Sequence, residues 1–361
     1  MSDEQQPLLG PVHTLGEDAG QVISHSTDQN SHHKQTKPTP LPKKQIFILL
    51  LMQLSEPIAY SVIYPFIARL VNETGVTGGD ESKVGYYAGL IESIFFLTES
   101  LLTLQYGRVS DRIGRRPVLM FGLFGQAVSI FSVGLSKKYW QLVFSRALSG
   151  ALNGNTGVAK SMVVELTDET NQAQAFSFIP IVWSMGSTLG PFLGGTLSHP
   201  AKLLPSVFDT PFWHKYPYFL PCLVAAIYAA GVFVFGALFL KETHTVDTGH
   251  GVNEAAESNE HRAKPKGSVP VRSVLTRRAR IAIANYAALA FTDIAYLALL
   301  PVMFAVSVKG GGLGFNPRSI GLILGLQGIT TGFVQVCLFA PLHRRFGSKK
   351  ILVTGYFAIF C

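Results

Sequence analysis

Five charged residues stand inside runs of sequence that are otherwise apolar: Glu56, Glu92, Glu99, Arg146 and Asp293. A charge held in an apolar medium costs about 2.5–3.5 kcal/mol on insertion scales, so such a residue faces a polar cavity or an opposite charge. Glu92 and Glu99 are seven positions apart and share one face of a helix, as do Arg146, Gly150, Asn153 and Gly157. Carboxylates and a guanidinium placed this way can exchange protons or pair with one another. Each could instead be half of a structural ion pair, and Glu92 and Glu99 could reach the surface from near a helix end. No phosphate-binding Gly-Lys-Ser/Thr loop, nucleophile elbow or metal-ligand spacing accompanies them, so no enzymatic activity, metal or cofactor is expected. Cys222, Cys337 and Cys361 lie in apolar runs without paired spacing, and no disulfide is expected.

The elements that position these residues are long. The chain has 361 residues, is 48% hydrophobic and 14% charged, and its apolar blocks exceed the length of soluble core helices. This is the pattern of an all-α membrane protein. Spans are expected at about 45–67, 84–106, 118–135, 140–164, 175–197, 218–240, 281–308 and 319–339, with a ninth run from Ile351 to Cys361. Residues 1–44 form a polar tail expected to be disordered. Residues 45–240 make a six-span half, 241–280 a polar linker and 281–361 part of a second half. The first apolar run follows that long tail, so no cleavable signal peptide is expected. Within the tail, Glu4-Gln-Gln-Pro-Leu8-Leu9 has the form of an acidic dileucine sorting signal, and His32-His33 reads as linker rather than as a metal site.

Between the second and third runs lies Gly107-Arg-Val-Ser-Asp-Arg-Ile-Gly-Arg-Arg-Pro117, a tight polar turn carrying Arg108, Arg112, Arg115 and Arg116. Such a cluster marks a cytoplasmic loop. Lysines and arginines also collect in the tail, in the linker and after the eighth run, at Arg344, Arg345, Lys349 and Lys350. All of these segments are therefore expected on the cytoplasmic side. The net charge of +8 mostly reports this orientation, and no nucleic-acid partner is expected.

The chain also repeats itself. Ile58-Ala-Tyr60 with Pro65 recurs as Ile294-Ala-Tyr296 with Pro301, preceded by Ser55-Glu56 and Thr292-Asp293. Gly85 and Gly89 recur as Gly321 and Gly325, and the basic loop recurs in degraded form at 341–350, where Gly347 matches Gly114 and Arg344 replaces Asp111. Copies of one orientation are parallel repeats, as in transporters built from two related halves.

The pattern Gly107-x-x-x-Asp111-Arg112-x-Gly114-Arg115-Arg116 resembles the loop signature between spans 2 and 3 of the major facilitator superfamily. Arg146-Ala-Leu-Ser-Gly150 resembles the family's span 4 motif, which is linked to proton coupling. Gly186-Ser-Thr-Leu-Gly190-Pro191-Phe-Leu-Gly194-Gly195 resembles the span 5 motif of its drug:proton antiporters. The loop from Gly194 to Pro221 is similar to that of the fungal and plant branch holding the zinc-induced facilitator-like transporters. The resemblance covers the apolar parts from about Lys43 onward and stops before spans 10 to 12. It implies a monomeric, proton-coupled exporter of small organic molecules in the plasma or vacuolar membrane. Transport of metals or metal chelates is the alternative, and a non-transporting relic or sensor a third reading. Glu56 and Asp293, equivalent in the two repeats, are expected to face the cavity, with Arg146 approaching and withdrawing to control the proton.

Overall fold

The computed structural model describes residues 39–243 and 276–338, with scattered positions from 342 to 355. The dileucine-like stretch, His32-His33, most of the linker, half of the second basic loop, most of the ninth run and Cys361 lie outside the described residues. Every regular element among the described residues is helical. In chain order these are α1 (Lys43–Ser61), α2 (Ile67–Glu73), α3 (Val84–Ile113), α4 (Arg115–Leu135), α5 (Tyr139–Leu152), α6 (Asn155–Leu166) and α7 (Gln172–Thr196). Three short helices follow, α8 (Pro200–Leu203), α9 (Pro205–Phe208) and α10 (Pro211–Lys215). Then come α11 (Phe219–Phe239), α12 (Arg277–Ala305) and α13 (Pro317–Phe333), which runs into a π turn at Val334–Leu338. Five of the described helices, α3, α4, α7, α11 and α12, are long and apolar enough to cross a membrane unbroken.

The structure departs from the run boundaries at three places. The first run does not end near residue 67. After Ser61 the chain makes a turn through Pro65, which has no N–H to continue the ladder, and resumes as α2 to Glu73. The fourth run is not one helix, because Asn153 and Gly154 leave helical geometry (ψ 65° and 7°) and divide α5 from α6. The basic turn is also much shorter than its sequence. Gly107–Ile113 completes α3, Arg115 opens α4, and Gly114 alone makes the corner at φ +103°, where a side chain is disfavoured.

Helix α1 is the centre of the packing, buried almost continuously from Met52 to Ser61 and flanked by α7 and α11. The glycines of α7 explain the close approach. A Cβ on Gly186 would run into Pro57, one on Gly190 into the Ser61 hydroxyl, and one on Gly194 into the Val62 carbonyl. Gly195 points to a different neighbour: a Cβ there would lie 2.7 Å from Cα of Gly321 on α13. Helix α13 follows α7 further down, with Gly328 against Thr188 and Gly332 against Ser184. One helix therefore carries two small-residue edges, one for the first helix of its own repeat and one for the second repeat. Arg69 donates to the Phe315 carbonyl (3.4 Å), and Ser307 donates to Glu81, joining the repeats at the same end as Gly195.

Candidate functional site

Helices α1, α3, α6, α7, α12 and α13 enclose a cavity of about 710 Å³. Its acids are Glu56 from α1, Glu99 from α3 and Asp293 from α12, and Lys160 from α6 is its base. Aromatic rings make much of the wall, among them Tyr60, Tyr64, Phe95, Trp183, Tyr286 and Tyr296. Tyr60 packs edge-on to Tyr64 (5.4 Å between centroids) and lies 6.0 Å from Trp183. Glu56 and Asp293, the pair matched by the repeat, do line one cavity.

The other two predicted charges do not line it. Arg146 Nη2 donates to both oxygens of Glu92, at 2.9 and 3.0 Å, and the side chains are 1% and 6% exposed. Arg146 Nε and Nη1 have no hydrogen-bond acceptor among the described residues. Its guanidinium lies 4.5 Å from the centre of the Phe95 ring, a cation–π contact, and the same ring faces the cavity. In this structure Arg146 is paired with Glu92, and neither side chain lines the cavity.

Glu56 and Glu99 share a neutral partner. The Asn153 side-chain amide donates 3.0 Å to Glu56 Oε1 and 3.0 Å to Glu99 Oε1. Thr156 adds a hydroxyl donor to the second Glu56 oxygen. Both donors stand at the α5–α6 break. Tyr106 fills the space beside Gly154 and donates 2.9 Å to the Ala151 carbonyl, at the end of α5 where carbonyls lose their helical partners. Gly150 lets α5 meet α3 at the Phe95 carbonyl, which sets the two elements at hydrogen-bonding range. Thr156 and Lys160 were not singled out from the sequence. Lys160 was legible by the same rule as the five charges, and Asn153-Gly154 is a turn signal within a helical run.

The basic corner forms a second polar cluster. Arg115 pairs with Asp111 (2.6 Å) and with Glu165 at the end of α6 (2.9 Å), and donates 2.6 Å to Ser110. The Glu242 carboxylate receives the backbone N–H of both Arg115 and Arg116 at 2.9 Å, an anion seated on the N-terminus of α4. Its Oε2 lies 2.7 Å from where a Gly114 Cβ would stand, so the glycine is required twice over. Arg116 also donates to the Ala237 carbonyl at 2.5 Å. Gly107 has open space around it and Arg112 is exposed. No group of three or more His, Cys, Asp or Glu side chains among the described residues could hold a metal ion.

Residues 49–361 match the Major Facilitator Superfamily. The chain is 32% identical to the major facilitator-type transporter psiT2 of Psilocybe cyanescens, over 97% of this chain and 73% of that protein. It is 35% identical to the efflux pump azaK of Aspergillus niger, over 88% of this chain and 64% of that protein. With ZINC INDUCED FACILITATOR-LIKE 1 of Arabidopsis thaliana it shares 27% identity over 87% of this chain and 66% of that one. The chain thus spans about two thirds to three quarters of the length of these relatives. Its fold is similar to that of the human organic anion transporter MFSD10, with a TM-score of 0.58 at 20% identity over 83% of this chain and 72% of that chain. With helices and cavity in place and the family match running from residue 49 to residue 361, this multi-pass membrane protein belongs to the Major Facilitator Superfamily, a family of membrane transporters.

Proposed function

We propose that this chain builds the substrate cavity of a proton-coupled antiporter that exports small organic molecules, favouring those with a cationic nitrogen. The observation that carries the reading is the division of charge. Glu56, Glu99 and Asp293 face one cavity with Lys160 as its base, while Arg146 is turned away onto Glu92. Carboxylates held by an amide and a hydroxyl, rather than by a fixed cation, can exchange a proton for a positively charged substrate. The aromatic wall suits the apolar body of such a molecule. The similarity to the efflux pump azaK of Aspergillus niger supports export. Residues 45–240 and 281–361 act as the two halves, and the residues that match the family's antiporter motif, Gly186, Gly190, Pro191, Gly194 and Gly195, hold α7 against both. The basic corner at Asp111, Arg112, Gly114, Arg115 and Arg116 acts as the gate. Charge asymmetry supports a cytoplasmic tail and 241–280 linker, and the family resemblance a plasma or vacuolar membrane.

The test is flux driven by a pH gradient beside substrate counterflow, in the full-length transporter. Glu56→Gln or Asp293→Asn should abolish pH-driven accumulation of a cationic dye and leave counterflow in place. If both variants keep pH-driven accumulation, the acids are structural. Equal transport of a neutral analogue would overturn the preference for cations.

A further inference from the structure

Just ahead of α1 the chain passes through Thr39-Pro40-Leu41-Pro42, a strap that is fastened to the loop between α6 and α7. The Thr39 hydroxyl donates to Asp168 Oδ2, and its backbone N–H donates 3.1 Å to the Thr170 hydroxyl. In return, Asn171 Nδ2 donates 3.3 Å to the Thr39 carbonyl. Leu41 packs on the apolar cluster that includes Ile46, Val158 and Ala175, so the strap is anchored on both sides of the loop. The loop is itself ordered: Thr170 donates to Asp168 through its N–H (2.8 Å) and hydroxyl (2.5 Å), and Asn171 accepts from the Asp168 N–H at 3.0 Å. These bonds, led by the Thr170 hydroxyl and followed by that of Thr39, hold the Asp168 carboxyl below its usual range. The strap therefore ties together the ends of α1, α6 and α7, three helices that line the cavity.

Thr39 is exposed and the next residue is Pro40, whose missing N–H is the feature a proline-directed kinase selects. Glu169 follows Asp168 directly, so the hydroxyl stands against an acidic loop. We propose that Thr39 is a phosphorylation site for a proline-directed Ser/Thr kinase, and that its phosphate detaches the strap from the 167–171 loop. In the transfer, Thr39 Oγ1 bonds to the γ-phosphorus of ATP and the bond to the bridging oxygen breaks. ADP leaves, and the hydroxyl proton passes to the kinase's base. The product has lost the donor to Asp168 and gained about −1.5 to −2 of charge beside that carboxylate, which repels it. The chain's other Thr-Pro, Thr210-Pro211, lies beyond the far end of α7. If the proposed topology holds, a cytoplasmic kinase reaches Thr39 and not Thr210.

The experiment treats purified protein in detergent micelles with a proline-directed kinase and ATP, then reads phosphate by mass spectrometry and amide hydrogen exchange at Thr39 and Thr170. Phosphate on Thr39 with about ten-fold faster exchange at both amides is the expected result. Thr39→Glu should speed exchange more than Thr39→Val, which removes the donor without adding charge. In Asp168→Asn protein, phosphorylation of Thr39 should speed exchange less. Failure to phosphorylate Thr39 under conditions that modify a peptide of residues 34–45 overturns the assignment. Phosphorylated Thr39 with unchanged exchange overturns the release. In cells, phosphate on Thr210 and not on Thr39 does the same for the cytoplasmic kinase.

Discussion

Glu92 and Glu99 occupy the same face of α3, yet the protein treats them differently. Glu92 meets a guanidinium with both oxygens and is sealed away at 6% side-chain exposure. Glu99 meets one N–H of a neutral amide, shares that amide with Glu56, and faces a cavity. An acid bound to a fixed cation is held in its pair, because removing either partner strands the other in an apolar place. An acid satisfied by amide and hydroxyl donors can give up those bonds to a proton or to a ligand cation at modest cost. Glu242 shows a third solution, backbone N–H groups at a helix N-terminus. The difference separates an ion-paired acid from a cavity-facing one within a single helix.

The largest effect should come from breaking the closed pair. Arg146→Met or Glu92→Gln is expected to cost about 3–5 kcal/mol of stability, because a buried charge loses its partner. Thermal unfolding in detergent checks this, with Glu99→Gln alongside as the comparison, since a glutamine can still accept from Asn153. Equal losses from Glu92→Gln and Glu99→Gln would erase the distinction.

Asn153→Ala comes next. It strips Glu99 of its amide and leaves Glu56 with Thr156, an expected cost of about 1–3 kcal/mol for buried groups left short of donors. The same variant should move the pH profile of transport, whereas a helix break that merely packs would leave the profile where it was. Smaller again is Glu242→Gln. An anion at a helix N-terminus contributes about 0.3–1 kcal/mol, and high salt should shrink the difference from wild type.

The smallest effect is a pH control outside the spans. His199 sits at φ 59° with its N–H on the Pro217 carbonyl (2.8 Å) and its ring edge-on to Tyr218, whose hydroxyl donates to Glu73. Burial first, then Lys202 and Arg69, lowers its pKa below the ordinary 6.5. A base with a lowered folded value favours the folded loop above the unfolded value, and that contribution is lost as pH falls from 6.5 through the folded value. Exchange at the His199 amide, corrected for intrinsic rate, should therefore rise on acidification across that window. His199→Asn, which tolerates the left-handed backbone, should show no such rise. A pH dependence that survives in His199→Asn would assign the effect to another group.

Much of the fold was legible because its signals are local. The apolar runs marked the helices, and the spacing of Ile58-Ala-Tyr60 and Ile294-Ala-Tyr296 marked the repeat, whose acids Glu56 and Asp293 do share a cavity. The glycines of 186–195 announced close packing, and the structure adds that Gly195 faces Gly321 while its neighbours face α1. Legibility failed where a local pattern had two outcomes. A run of helical residues around Asn153-Gly154 reads as one span unless the break is rewarded by distant partners, here Tyr106, Glu56 and Glu99. The basic corner read as a loop because charged residues are as common in loops as at helix ends.

What the sequence by itself determined was an α-helical membrane protein with acids inside its spans, since hydropathy and periodicity depend on residue type and neighbour alone. Which acid meets which partner was decided by tertiary structure. Arg146 lies 54 positions from Glu92, Asn153 lies 97 from Glu56, and Arg115 lies 127 from Glu242. A pairing across such separations is set by how glycine and proline edges let helices approach and turn. No local pattern records that choice, because the energy that makes it exists only once the helices are packed.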